Sequence, residues 1–171
     1  EALRSFLASG APLLFDRIVV PHEASEVDLA DYGEAPAVLA GAVVRAMPRS
    51  GRPSTSPRIL ALGGGGGQPV DAARFVRAVA DAHQLARARI PKLETLLVTG
   101  PYGEPPATSF EGLTVVRTAD LGEALPEASL VISQAGYNAV AELRALKKPA
   151  ILVPAYRKAE DQRVRARRLA K

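Results

Sequence analysis

Two glycine-bearing turns and three polar side chains are the residues of this 171-residue sequence best suited to holding a ligand. Residues 63–67 are five consecutive glycines, followed by Gln68. With no Cβ atoms in the way, such a loop can bring Gly64, Gly65 and Gly66 close to a diphosphate and point backbone N–H groups at its oxygens. It is not the GxGxxG dinucleotide fingerprint, because Gln68-Pro69 interrupts it, and no Gly-Lys-Ser/Thr follows to make a P-loop. A plain strand-to-helix turn is the bland alternative, yet five glycines cost such a turn more entropy than it needs.

The second turn is Ser133-Gln134-Ala135-Gly136-Tyr137-Asn138. Gly136 is placed to be an N-cap, which leaves backbone N–H groups and the positive end of a helix dipole for an anion, a gain of about 0.3–1 kcal/mol. Glu142 lies four residues after Asn138 on one helix face, whereas Val140, Leu143 and Leu146 form another face, turned toward the sheet. A carboxylate there would repel phosphate but can accept two ribose hydroxyls together. The alternative is an ordinary glutamate favoured by the helix dipole. Asp161 and Gln162 could reach sugar hydroxyls at the open end of a cleft; taken alone, they read as solvent-facing helix residues.

These groups must be carried by secondary structure, and the sequence supplies it in regular alternation. Residues 58–62 (RILAL) form an apolar strand running into the glycines, and 70–89 have the apolar spacing of a helix. Further strands are expected at 95–99, 114–117, 130–133 and 150–153. Helices are expected near 121–125, at 137–147 and from about Glu160 onward. The strands are apolar without a period of two, as in a parallel sheet buried on both faces. Right-handed crossovers would then give an α/β, Rossmann-like, doubly wound domain. Ligands in such sheets sit at the carboxyl ends of the strands, here the loops at 63–68, 100–106, 117–120, 133–137 and 154–162. Upstream, 15–20 (FDRIVV) reads as a short strand, 21–41 as polar and turn-rich, and 42–47 as an apolar run. Residues 49–57 (RSGRPSTSP) have linker composition.

Composition narrows the classes. Hydrophobic residues are 47% and aromatics 5%, so the core is aliphatic. There is no cysteine, which excludes disulfides and thiolate metal sites. His22 and His83 show no ligand spacing, and no carboxylate cluster suited to Mg²⁺ is visible, so neither a metal nor a cofactor is expected. Asp16 and His22 titrate, but nothing in the sequence places them in a cleft. No apolar run is long enough to span a membrane and no signal peptide is recognisable, so a cytoplasmic location is expected. The net charge of +4 permits an anionic ligand, or peripheral association with the inner face of a membrane, without demanding either. Much of it sits at Arg163, Arg165, Arg167, Arg168 and Lys171, read as a solvated helix face. No aromatic platform or recognition motif accompanies this charge, so nucleic acid is not an expected partner.

The run VISQAGYNAVAELRALKKPAILVP, residues 131–154, resembles the nucleotide-sugar-binding signature of GT-B glycosyltransferases. It is similar to the family 28 group that includes the peptidoglycan N-acetylglucosaminyltransferase, and the GYN variant of the turn is closer to predicted glycosyltransferases. ILALGGGGG, LLVTGP and EDQRVRARRL resemble that family's glycine loop, following strand and DQ-type motif, so the likeness covers roughly residues 58–171. The family's first loop often carries Ser, absent here, and the residue before the DQ pair is often basic or His, where this chain has Glu160.

The resemblance implies that Gly64, Gly65 and Gly66 approach the diphosphate and that Gly136 and Tyr137 offer backbone N–H groups. Glu142 would hold the ribose, the main chain at Thr118 would touch uracil, and Asp161 and Gln162 would face the transferred sugar. It implies the donor half of a GT-B fold, truncated at both ends. Residues 1–48 would be the tail of an N-terminal acceptor domain with an interdomain segment, 49–57 a linker, and 58–171 a C-terminally incomplete donor domain. The implied activity is transfer of a hexosyl group from a UDP-sugar to an unknown acceptor held by an absent domain, the chain alone being inactive. No catalytic residue is assigned. A nucleotide-sugar hydrolase or epimerase would need an acid–base pair not visible here, and a non-catalytic nucleotide-sugar-binding subunit is a third reading.

Overall fold

A computed structural model of the chain describes residues 2–46, 56–64, 69–99, 109–118, 120–156 and 161–170. Gly65, Gly66, most of the 49–57 linker, the 100–106 loop and Glu160 lie outside them. The chain forms two compact units, one within Glu1–Arg45 and the other within Ala46–Arg157 and Asp161–Lys171.

The first unit holds a helix α1 (Ala2–Ala8), a 3₁₀ turn (Ala11–Leu14), strand β1 (Ile18–Val20), a second 3₁₀ turn (Leu29–Tyr32) and strand β2 (Ala37–Leu39). The two strands pair in parallel, Val19 opposite Val38. The sequence pattern foresees β1 three residues too long and misses β2 altogether.

The second unit has strand β3 (Arg58–Leu62), helix α2 (Pro69–Arg87), β4 (Glu94–Val98), β5 (Leu113–Val116), the single-turn α3 (Ala124–Glu127), β6 (Leu130–Ser133), α4 (Tyr137–Ala145), β7 (Ala150–Leu152) and α5 (Gln162–Leu169). Its five strands are all parallel, in the order β5-β4-β3-β6-β7. This is the α/β, Rossmann-like doubly wound arrangement. Alternate residues of each strand face opposite sides, and both sides are buried. Ile59, Ala61, Leu97 and Ile132 pack with Phe75 and Val79 of α2. Leu60, Leu62, Val98 and Val131 pack on the other side with Leu125 and with Leu143 of α4.

The buried histidine belongs to this scaffold. His83 is 1% exposed. Its Nε2 lies 3.0 Å from the Glu111 carbonyl and its Nδ1 2.9 Å from the Thr95 hydroxyl. Because a carbonyl can only accept, Nε2 carries the proton there, and α2 is tied to the approach to β5.

Candidate functional site

The order of strands reverses about β3: β4 and β5 lie to one side of it, β6 and β7 to the other. In open α/β sheets ligands bind outside the carboxyl ends of the strands at this reversal. The crevice therefore falls between the ends of β3 and β6, where the two glycine-bearing turns begin. Leu62 is in register with Ser133, so the turns leave the sheet side by side.

Contacts between them are close. The Gln134 N–H reaches back to the Leu62 carbonyl at 3.4 Å. Gly64 has φ +74°, a left-handed conformation that glycine adopts without strain. A Cβ there would stand 3.5 Å from Gln134 Oε1. Gly63 is tighter: a Cβ would come 3.3 Å from the Val98 carbonyl oxygen. The glycine loop thus begins wedged between β4 and the β6–α4 turn.

That turn is largely buried. Ser133 is 1% exposed, and its hydroxyl donates to the Gln134 carbonyl at 2.8 Å. Gln134 is 6% exposed and Ala135 is fully buried. Gly136, the N-cap of α4, is extended and provides no side-chain cap. Its carbonyl accepts from Val140 at 3.1 Å, so Tyr137, Asn138 and Ala139 contribute N–H groups for which the helix has no internal acceptor. A Cβ at Gly136 would meet nothing within 4 Å. The helix start opens onto space at the crevice, and Asn138 is exposed beside it.

Glu142 lies about 7.5 Å further along α4 and is 4% exposed. A solvated glutamate drawn to the dipole would be far more exposed. Leu143 joins the core under the sheet, and Glu142, next to it, is as well covered.

The outer ends of the crevice differ from expectation in detail. Thr118 follows β5. Its hydroxyl accepts from the Asp120 N–H at 3.0 Å, and Asp120 Oδ1 in turn accepts from Gly122 at 2.9 Å. The side chain shapes its own loop. At the opposite end Asp161 is the N-cap of α5 rather than a residue inside it, its Oδ1 accepting from Val164 at 3.0 Å. Gln162 is 3% exposed, and its Oε1 accepts from Ala155 at 2.9 Å. A solvent-facing Gln162 is not what the structure shows: its carbonyl oxygen holds the loop after β7, because the unpaired N–H of Ala155 would otherwise be costly to bury.

One residue read from sequence as part of a solvated basic face instead packs at the start of α4. Arg165 Nη1 donates to the Ala135 carbonyl at 2.8 Å, and its guanidinium stands 5.8 Å from the centroid of the Tyr137 ring. The helical stripe Gln162, Arg165, Ala166 and Leu169 is the less exposed side of α5, a spacing that could have singled Arg165 out from Arg163, Arg167 and Arg168.

The family model for the glycosyltransferase family 28 C-terminal domain matches residues 60–171, from the middle of β3, which leads into the glycine loop, through α5. The chain belongs to this family. Its second unit carries this C-terminal domain, with the fold of the donor half of GT-B enzymes. Among solved structures the chain is similar to the glycotransferase of kitacinnamycin, with 15% identity and a TM-score of 0.60 over 98% of this chain and 46% of that one. A spinosyn rhamnosyltransferase complexed with thymidine diphosphate shares 22% identity (TM-score 0.45, 72% of this chain, 34% of that one). A glycosyltransferase from Streptomyces nogalater shares 16% (TM-score 0.43, 81% and 35%). At these identities the likeness is one of fold. The chain spans about half the length of the first of these proteins. No curated protein matches it. Among the described residues no helix is long and apolar enough to cross a membrane.

Proposed function

We propose that the second unit binds the diphosphate of a UDP-linked sugar and serves as the donor domain of a hexosyltransferase. The observation that carries this is the α4 start, which has no side-chain cap, opens onto unfilled space, and lies at the sheet's reversal beside Gly63 and Gly64. The diphosphate sits on the N–H groups at Gly136 and Tyr137, with Gly64 approaching from the other turn. Glu142 accepts the ribose hydroxyls, backbone groups near Thr118 meet the base, and Asp161 stands toward the sugar. Gln162 acts by holding the loop after β7. In transfer, the bond from the anomeric carbon to the diphosphate breaks as an acceptor oxygen attacks. The helix dipole and loop N–H groups stabilise the negative charge that develops on the leaving diphosphate, an effect worth a few kcal/mol in sites of this kind. The acceptor and the group that takes its proton belong to another domain.

Calorimetric titration of the chain with UDP, TDP and GDP, beside Glu142→Ala, tests the reading. UDP is expected to bind best, and the variant to weaken it about tenfold, or ~1.4 kcal/mol. A folded chain that binds none of the three would refute it. Tight binding unchanged in the variant would remove Glu142 from the ribose.

A further inference from the structure

Charge is divided unevenly along the chain. Residues 143–171 hold ten Lys or Arg against two Asp or Glu, whereas residues 1–45 hold three against seven. Residues 46–142 are balanced, with nine of each. In the cationic part the described charge is concentrated on α5. Arg163, Arg167 and Arg168 are exposed, and at about 100° per residue they share one arc of roughly 140°. Val164, 39% exposed, lies within it, and the covered side of the helix is Gln162, Arg165, Ala166 and Leu169. In the first unit the anionic stretch follows β1. Glu23, Glu26, Asp28, Asp31 and Glu34 fall within twelve residues that contain no Lys or Arg, and all but Glu26 are exposed. Asp28 Oδ1 accepts from the Ala30 N–H at 2.9 Å, and Asp31 lies in the 3₁₀ turn that this bond caps. Among the described residues, Arg163, Arg167, Arg168, Asp31 and Glu34 make no ion pair. One chain by itself leaves these five charges to solvent.

We propose that the exposed arc of α5 docks on residues 23–34 of a second copy of this chain, reciprocally, so that two copies form a two-fold dimer. A two-fold interface needs a surface that complements itself, residue i meeting j while j meets i. A chain with one cationic and one anionic patch meets that requirement. Attraction of this kind sets the encounter and the register more than the depth of binding, so the dimer is a weak one that salt dissolves. An anionic membrane would also attract α5, but it would leave the charge of residues 23–34 unanswered, whereas a second copy answers both. The proposal stands apart from the nucleotide site, because the arc is on the side of α5 away from Gln162 and Arg165.

Sedimentation of the chain over a range of concentrations tests it, at about 0.01 M and about 1 M salt, between which the screening length falls from about 30 Å to about 3 Å. A dimer is expected at low salt, with a dissociation constant that rises at least about tenfold at high salt. Two charge-reversed variants identify the patches: one carries Arg163→Glu with Arg167→Glu, the other Asp31→Lys with Glu34→Lys. Each alone is expected to be monomeric, since like charges then face each other across both contacts. An equimolar mixture of the two is expected to dimerise again, because opposite charges meet once more. All four positions are exposed, and melting curves check that both variants fold. Should a reversed variant not fold, Arg163→Gln with Arg167→Gln takes its place: a weakened dimer supports the proposal, and unchanged association overturns it. A chain that stays monomeric at low salt, variants that dimerise as the unaltered chain does, or a mixture that stays monomeric would each overturn it. A monomeric chain that floats with phosphatidylserine vesicles but not with phosphatidylcholine vesicles would also overturn it, and would assign the α5 arc to a lipid surface instead.

Discussion

At Gly136 stability and binding pull in opposite directions. Its backbone is extended, a conformation open to any residue, and a Cβ would meet nothing. Asp, Asn or Ser at an N-cap stabilises a helix by a few tenths of a kcal/mol over Gly, so the fold itself does not call for glycine here. What glycine leaves is room and a set of N–H groups. Gly136→Asp is therefore expected to melt at the same temperature or higher, while weakening UDP by about tenfold or more (~1.4 kcal/mol), because its carboxylate takes the anion's place. Paired thermal melts and titrations would show it. A variant that melts lower and still binds UDP would mean the turn needs glycine for its own geometry. The same residue scale shows where sequence stops being legible. Gly136 as N-cap could be read from type and spacing. The burial of Gln162 could not, since it depends on the Ala155 N–H, brought near by the path of the chain after β7.

Elements were legible to the extent that their signals are local. β3, β4, β5 and β6 fall within a residue of the expected strands, because each is an apolar run closed by Gly, Pro or polar residues. β2 escaped because its three residues, Ala37–Leu39, are too few to show a pattern, and it exists only through parallel pairing with β1. The approach to β5 rests on another local signal. Gly112 has φ +77°, and a Cβ there would fall 2.9 Å from the Leu93 carbonyl oxygen and overlap the Arg87 guanidinium, which itself bonds Leu93 and Glu111. Gly112→Ala combines a left-handed alanine, about 1–2 kcal/mol, with a backbone clash. Urea denaturation is expected to show a loss of at least about 1–2 kcal/mol. UDP affinity should hold, because Gly112 lies at the amino edge of the sheet, across from the site. A fall in affinity matching the fall in stability would mean that the two edges are not independent.

For the molecule as a whole, the two units are unequally equipped. The second has a five-stranded sheet covered on both sides, with Leu60, Ala61, Leu97 and Val131 fully shielded. The first has a two-stranded sheet, a size that is marginal by itself, and exposes Leu13, Leu14, Phe15 and Val19. Every described residue proposed for the nucleotide site, from Gly64 to Asp161, lies in the second unit. Residues 46–171 expressed alone are therefore expected to fold, to melt cooperatively, and to bind UDP within about threefold of the whole chain (~0.65 kcal/mol). Circular dichroism and the same titration would decide. Folding with lost UDP binding would move part of the donor site into residues 1–45. Failure to fold would show that the second unit's core, covered on both sides of its sheet, still depends on the first for stability.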